Sequence, residues 1–247
     1  MTMRFLLLSL LLFSTTVQGV SFTSGEEQTP TIELFTSQGC SSCPPADRWL
    51  SKLVNHPGLW KEVIPMAFHV DYWDYIGWKD RFAHPRYTLR QQLYRHWGSL
   101  RSLYTPGFVV KGSEWRGFFH GDKANFKPGR KVGRLYLEYN RNQPAKVSFS
   151  AVDEYLPPQL KLNLVLLGFD FQTPVQSGEN HGKNLAEDFV VLGWNHKSVS
   201  LSDKSWSIDL PKIKDAKPKR LALVSWISGR GSPAPLQAVG GWIPNPF

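Results

Sequence analysis

Short apolar runs separated by turn-rich stretches make up most of this chain, and helical spacing surfaces in only a few places. Thr31-Ile32-Glu33-Leu34-Phe35 reads as a buried first strand, β-branched and aromatic except at Glu33. Beyond it, Ala46, Trp49, Leu50, Leu53 and Val54 fall at i, i+3, i+4, i+7 and i+8, one face of an amphipathic helix. Asp47 in its first turn and Lys52 in its last match the helix dipole, and Pro57-Gly58 ends it. Val63 to Phe68 is a second strand, weakened by Pro65, which has no N–H for a ladder. The spacing then predicts a helix from Pro85 to about Arg101, with Tyr87, Tyr94 and Trp97 on one side and Arg86, Arg90, Arg95 and Arg101 on the other. Leu103 to Val110, the turn signal Lys111-Gly112 and a short strand around Glu114-Trp115 form a hairpin. Leu135, Tyr136 and Tyr139 fit a final helix, although Pro128-Gly129 interrupts any long one.

Past about Asn142 the pattern changes to short alternating runs, at Lys146–Ser150, Gln159–Phe169, Phe189–Gly193, Trp206–Leu210, Arg220–Ile227 and Leu236–Ile243. Period two without a clear helix predicts a second, mostly antiparallel β domain. No internal repeat or low-complexity segment interrupts this organisation.

The first residues stand apart. Arg4, the apolar run Phe5 to Phe13 and the small-polar stretch Ser14 to Gly19 follow the order of a secretory signal, with Val17 and Gly19 at the −3 and −1 positions. The run is shorter than the roughly 20 residues that span a bilayer, so cleavage is expected rather than retention as an anchor. The expected organisation is a signal peptide over residues 1–19, a first domain over 28–141 and a β-rich domain over 142–247. The mature protein is then periplasmic or secreted, with no stable membrane insertion, in a compartment where disulfides persist. Loss of Arg4 lowers the formal charge from +9 to +8. The basic residues are dispersed, and export removes nucleic acid as a partner. A hydrophobic content of 41% with 13% aromatics is enough for packed cores.

Cys40 and Cys43 are the only cysteines in the chain. They stand between the first strand and the first helix, and three readings compete. As a staple the pair is weak: a four-residue loop gains about 2 kcal/mol in the chain-entropy rule, against about 4.7 for a 100-residue loop. As a thiol–disulfide centre it is better placed, because a helix N-terminus favours the thiolate through unpaired N–H groups and the positive dipole end. Cys40 would be the exposed nucleophile and Cys43 the resolver of the mixed disulfide, with Ser41 and Ser42 adding hydroxyl donors. As a soft-metal site, Cys40 and Cys43 with His69 would suit copper(I). A closed zinc site lacks ligands, there being no second cysteine pair.

Glu33-Leu34-Phe35-Thr36-Ser37-Gln38-Gly39-Cys40-Ser41-Ser42-Cys43-Pro44-Pro45-Ala46-Asp47, with Phe68-His69-Val70-Asp71-Tyr72-Trp73-Asp74 and Tyr104-Thr105-Pro106, resembles an exported, thioredoxin-like bacterial family known only as a domain of unknown function. The match runs over roughly residues 31–112; Gly178-Glu179-Asn180 and Gln237-Ala238-Val239-Gly240 resemble the family's tail more loosely. The resemblance implies an α/β fold, a thioredoxin-like N-terminal domain followed by a smaller, mostly antiparallel β domain. It also implies that Thr105-Pro106 is the cis-proline turn held beside the sulfurs. Glu33 lies one residue from where thioredoxins keep a buried acid, and pairing with a nearby base is the competing reading. Two departures stand out, Ser-Ser between the cysteines and Gly39 where an aromatic residue usually precedes them.

The expected function is an exported thiol–disulfide oxidoreductase acting on protein or small-molecule thiols, with an envelope redox partner and no cofactor. Cys40, Cys43, Pro106 and Glu33 are its candidate catalytic residues, and Thr105, Trp73 and Tyr104 its candidate substrate contacts. Trp73 and Trp78 are read as cleft wall or cover for the sulfurs, and Asp71, Asp74 and Asp80 as loop-ordering acids in preference to a hard-metal site or an acid/base pair. The rival class is a binding protein, either a copper(I) carrier or an envelope adaptor without chemistry.

Overall fold

A computed structural model of the chain describes residues 19–213 and 218–244, so the expected signal segment lies, but for Gly19, outside the described residues. The elements are β1 (Val20–Thr23), β2 (Thr31–Thr36), α1 (Pro44–Ser51), β3 (Ile64–His69), α2 (Pro85–His96), β4 (Gly107–Val110), β5 (Ser113–Glu114), β6 (Gly133–Tyr139) and β7 (Ala145–Ala151). They continue with β8 (Gln159–Phe169), β9 (Phe171–Pro174), β10 (Asn184–Glu187), β11 (Val190–Ser200), β12 (Ser205–Ile208), β13 (Arg220–Gly229) and β14 (Pro235–Ile243).

The expected fold class is corrected by the sheets. Instead of a thioredoxin-like α/β domain followed by a smaller β domain, the described chain is mostly β, with two α-helices and an eight-stranded sheet in the order β14-β13-β8-β11-β3-β2-β4-β5. The early strands β2 to β5 and the late strands β8, β11, β13 and β14 therefore share one sheet. They join where β11 runs parallel to β3 at Val190 and Ala67, beside a bond from the Ala67 N–H to the Phe189 carbonyl (2.8 Å). A four-stranded antiparallel sheet, β1-β6-β7-β12, forms a second layer.

The reason lies in the side chains of the late strands. Leu160, Leu162, Leu164 and Leu166 of β8 pack toward the four-stranded sheet, with Leu135, Leu137, Val147 and Phe149. Val165, Leu167 and Phe169 turn the other way, into the core that also holds Phe35, Phe68 and Phe189. A strand apolar on both faces must be covered on both, which a two-layer β domain of its own would not supply. Pro65 is tolerated in the middle of β3 for a related reason. Its nitrogen points the same way as that of Ala67, toward β11, whose pairing with β3 is confined to Val190 and Ala67.

Local expectations were met unevenly. In α1, Ala46 and Leu50 are buried as the spacing required, and a 3₁₀ turn at Lys52–Asn55 carries the buried Leu53. In α2 the buried stripe is Tyr87, Arg90, Gln91 and Tyr94, while Trp97 is exposed; the expected arginine side is thus partly inside. The segment expected as a final helix is strand β6, with Leu135, Leu137 and Tyr139 in and Arg134 out. Its period is two, which the aromatic residues obscured.

Arg90 is buried because Glu33 is. Period two along β2 places Glu33 and Phe35 on the α2 face and Thr36 on the α1 face. Arg90 donates to both Glu33 carboxylate oxygens (2.5 and 2.7 Å), Tyr94 donates to Oε1 (2.6 Å), and the guanidinium lies over the Trp226 and Phe68 rings. Glu33 is accordingly paired with a base.

Arg90→Met is expected to cost about 3–5 kcal/mol in urea unfolding, because it leaves the Glu33 charge buried without a cation, with only the Tyr94 hydroxyl bonded to it. Adding Glu33→Leu should recover most of that loss; a double variant as unstable as the single one would contradict this account of the pair.

Candidate functional site

The C-terminal ends of β2 and β3 lie side by side, with Thr36 in register with His69. The chain leaving β2 forms the loop Ser37 to Cys43, and Cys43 caps α1, whose first two positions are Pro44 and Pro45. Cys40 and Cys43 are joined in a disulfide, with their Cα atoms 5.5 Å apart. Ser42 Oγ lies 3.3 Å from Cys40 Sγ. The expectation of an exposed Cys40 is corrected: Cys40 is 2% exposed and Cys43 0%, whereas Ser41 and Ser42 are open to solvent.

The segment 71–80 packs against this loop. A Cβ on Gly39 would stand 3.2 Å from Trp73 Cβ and 3.3 Å from its carbonyl oxygen, so the missing aromatic residue before Cys40 is explained by Trp73 standing there. Trp73 Nε1 donates to Thr105 Oγ1 (2.7 Å), which ties the segment to the Thr105–Pro106 peptide, a cis bond. Tyr104 faces elsewhere: its hydroxyl donates to Glu114 (2.7 Å), and its carbonyl accepts from Gln91 (2.8 Å). Asp71 and Asp74 order the segment, accepting from the Thr88 hydroxyl (2.5 Å) and the Asp80 N–H (3.1 Å).

Beneath the loop sits a buried polar cluster. His69 Nδ1 is 2.7 Å from Asp80 Oδ2, and the same oxygen accepts from the Gln38 N–H (2.8 Å). Gln38 Nε2 donates to Glu187 (2.8 Å) of β10, and Trp78 Nε1 donates to Gln38 Oε1 (3.1 Å). Burial opposes a charged His69, but Asp80 at contact, with Glu187 and Asp47 nearby, outweighs it and lifts the imidazole to about 9. Glu187 is pushed up to about 7 by burial and by the neighbouring Asp80 and Asp47, against the pull of His69. Asp47 is pushed up to about 6, chiefly by burial, although Thr36 Oγ1 donates to it (2.8 Å). One imidazolium is thus shared among three carboxylates in a site of low polarity.

A third element comes from far along the chain. Asn180, fully buried, donates through Nδ2 to the carbonyls of Gln38 (2.8 Å) and Cys40 (2.9 Å). Its neighbour Glu179 accepts the Ser41 N–H (3.1 Å).

The structure therefore gathers Cys40, Cys43, Trp73, Thr105 and His69 around one loop. Glu33 is on the opposite face of β2, taken up by Arg90 and Tyr94, and Tyr104 is bonded to Glu114. Of the copper(I) candidates, the two sulfurs are bonded to each other and His69 to Asp80. No group of three or more His, Cys, Asp and Glu side chains among the described residues is arranged to hold a metal ion. Sequence reasoning assigned no role to Gln38, Glu187, Glu179 or Asn180. Glu179 and Asn180 stood in the quoted Gly178-Glu179-Asn180 stretch, which was a signal, but their 138- and 140-residue reach to Ser41 and Cys40 was not readable.

A family model described as "Protein of unknown function (DUF1223)" matches residues 31–228. No curated protein gives a significant match. Among solved structures, the crystal structure of a protein from Agrobacterium tumefaciens is similar at 22% identity and a TM-score of 0.56, over 87% of this chain and 95% of that one. HBP35 of Porphyromonas gingivalis is similar at 14% identity and a TM-score of 0.56, over 88% of this chain and 76% of that one. At these identities the likeness is one of fold.

His69, Glu187 and Asp47 each hold a proton more tightly folded than unfolded, at about 9, 7 and 6 against ordinary values of 6.5, 4.5 and 3.8. The His69 contribution is complete below about 6.5 and lost as pH rises through about 9; those of the two acids are complete below their ordinary values and lost as pH rises through about 6 and 7. The melting temperature should therefore climb as pH falls from 9 to about 5, and a flat or falling profile would contradict the cluster. His69→Asn should lower stability by about 3–5 kcal/mol, by stranding Asp80, and flatten the upper half of the profile. At the loop, Gly39→Val should push Trp73 aside and speed reduction of the disulfide by dithiothreitol; an unchanged rate would mean that Trp73 is not the cover.

Proposed function

The chain belongs to the DUF1223 family, and from that premise we propose that it is an exported thiol–disulfide oxidoreductase working on protein or small-molecule thiols through Cys40 and Cys43. The observation that carries this reading is the disulfide itself: the only two cysteines are paired across two residues, where β2 hands over to α1. A loop so short adds little stability, so bracing alone does not account for it.

In the reduced protein the Cys40 thiolate attacks a partner disulfide; a Cys40–partner disulfide forms, and one partner sulfur leaves as thiolate and takes up a proton. Cys43, as thiolate, then attacks Cys40 Sγ, which restores the Cys40–Cys43 bond and releases the second partner sulfur. Two electrons pass to the partner, and the reverse sequence oxidises a partner dithiol. The Cys40 and Cys43 protons are released in the forward direction. Thr105 and Pro106, bridged to the loop through Trp73, are the backbone against which a partner chain would align. Because Cys40 is buried, the 71–80 segment must yield to admit a partner. Export rests on the signal-like residues 1–19 and fits the persistence of a disulfide; among the described residues no helix is long and apolar enough to cross a membrane.

The burial of both sulfurs favours one rival, an envelope adaptor whose disulfide never exchanges. Cys43→Ser separates the two. Expressed in the exporting cell, it should accumulate mixed disulfides through Cys40, seen as reductant-sensitive adducts that vanish in Cys40→Ser/Cys43→Ser. Absence of adducts, with a native disulfide that fails to exchange with glutathione, would leave the adaptor.

A further inference from the structure

A thiolate at Cys40 needs donors, and the loop supplies few. Pro44 and Pro45, the first two residues of α1, have no N–H, and the N–H groups of Ala46 and Asp47 are spent on the Cys43 carbonyl (2.8 and 3.1 Å). The Cys43 N–H is spent on the Cys40 carbonyl (3.3 Å). The Ser41 N–H, beside the nucleophile, is taken by Glu179 Oε2 at 3.1 Å. What faces the sulfur is the Ser42 hydroxyl, at 3.3 Å.

Glu179 is exposed, but its place is fixed from both sides. The Ser177 hydroxyl donates to the Gly77 carbonyl (2.5 Å). Gly178, at φ +74°, fits so closely that a Cβ would stand 3.1 Å from Trp78 Cβ and 3.2 Å from the Ile76 carbonyl oxygen. On the other side Asn180 grips the Gln38 and Cys40 carbonyls, and its own Oδ1 accepts from Lys183 Nζ (2.8 Å). The strap Ser177–Asn180 therefore delivers a carboxylate to the mouth of the cysteine loop by construction. Ser41, through its hydroxyl first and its N–H second, holds the Glu179 carboxyl below its ordinary range, with Lys183 adding to the effect, so it is an anion at neutral pH.

We propose that Glu179 is the positioning residue that sets the redox couple of Cys40 and Cys43, biasing it toward the disulfide, so that the reduced protein donates electrons. A carboxylate that occupies the Ser41 N–H withdraws a donor from the Cys40 thiolate and adds a like charge beside it. Both effects destabilise the thiolate, and with it the reduced state at any pH where Cys40 is ionised. Reduced Cys40 and Cys43 then pass two electrons to a partner disulfide, which becomes two thiols, and an external dithiol of lower potential returns the protein to its reduced form. This deepens the oxidoreductase reading and rests on it for the direction of electron flow.

The experiment equilibrates the purified protein with mixtures of reduced and oxidised dithiothreitol, reads the fraction of dithiol by alkylation and mass shift, and titrates the Cys40 thiolate. Glu179→Gln keeps an acceptor for the Ser41 N–H and removes the charge. At a pH above the Cys40 pKa it should shift the equilibrium toward the reduced form by about two- to fivefold, the usual worth of one charge near a helix start, and it should lower the Cys40 pKa. Glu179→Lys should go further and Glu179→Asp should stay near wild type, in the order of charge and not of side-chain size. Unfolding midpoints across the series separate this from a change in the strap's folding. An equilibrium that is constant across the series, or that follows stability instead of charge, overturns the proposal. The dithiothreitol equilibrium is readable with or without a physiological partner, so failure of the Cys43→Ser trap would sink the oxidoreductase reading without deciding the role of Glu179.

Discussion

Asp80 accepts at one oxygen from the Gln38 N–H and, 2.7 Å away, faces His69 Nδ1. That shared oxygen is where the cysteine loop, the end of β3 and the 71–80 segment meet in a dry environment. A buried carboxylate is tolerable only with a cation and donors around it, so each of these pieces is constrained by the need to satisfy the others. Gln38 extends the constraint through its side chain to Trp78 and Glu187, and through its carbonyl to Asn180.

The network also explains why the late strands join the early sheet. Glu187 and Asn180 sit on or beside the β9–β10 hairpin, which follows β8 directly. They reach the cysteine loop because β8 and β11 lie in the same sheet as β2 and β3. The aromatic seam along the join, where Trp60 meets Phe189 and Trp242 and Phe68 meets Trp194, keeps the two parts in register. A site assembled in this way is completed only when the last third of the chain has folded. Electrostatics and topology are then one requirement: the carboxylates that raise the His69 pKa come from three separate elements.

Much of the local structure was legible. The spacing of Ala46, Leu50 and Leu53 gave α1 and its continuation, Lys111-Gly112 gave the turn between β4 and β5, and the alternating runs after residue 142 gave strands. Reading failed where a side chain's surroundings mattered more than its type. Arg90 falls on the arginine side of the helical spacing, but the buried Glu33 beside it draws it inside. Leu135, Tyr136 and Tyr139 suggested a helix by composition, although their neighbours alternate. Cys40, expected to be exposed at the edge of the helix, is buried, and Trp73 packs on Gly39 just before it.

The sequence by itself determined where the candidate site lies. Two cysteines two residues apart, prolines behind them and a polar, aromatic segment after β3 mark the site, because spacing along the chain fixes local geometry. Tertiary structure alone decided what surrounds the sulfurs: the single sheet that unites both ends of the chain, the charged cluster below the loop and the Glu179 carboxylate on the Ser41 N–H. The hydrogen bonds that Glu179 and Asn180 make to the cysteine loop span more than a hundred positions, and no local pattern encodes those distances.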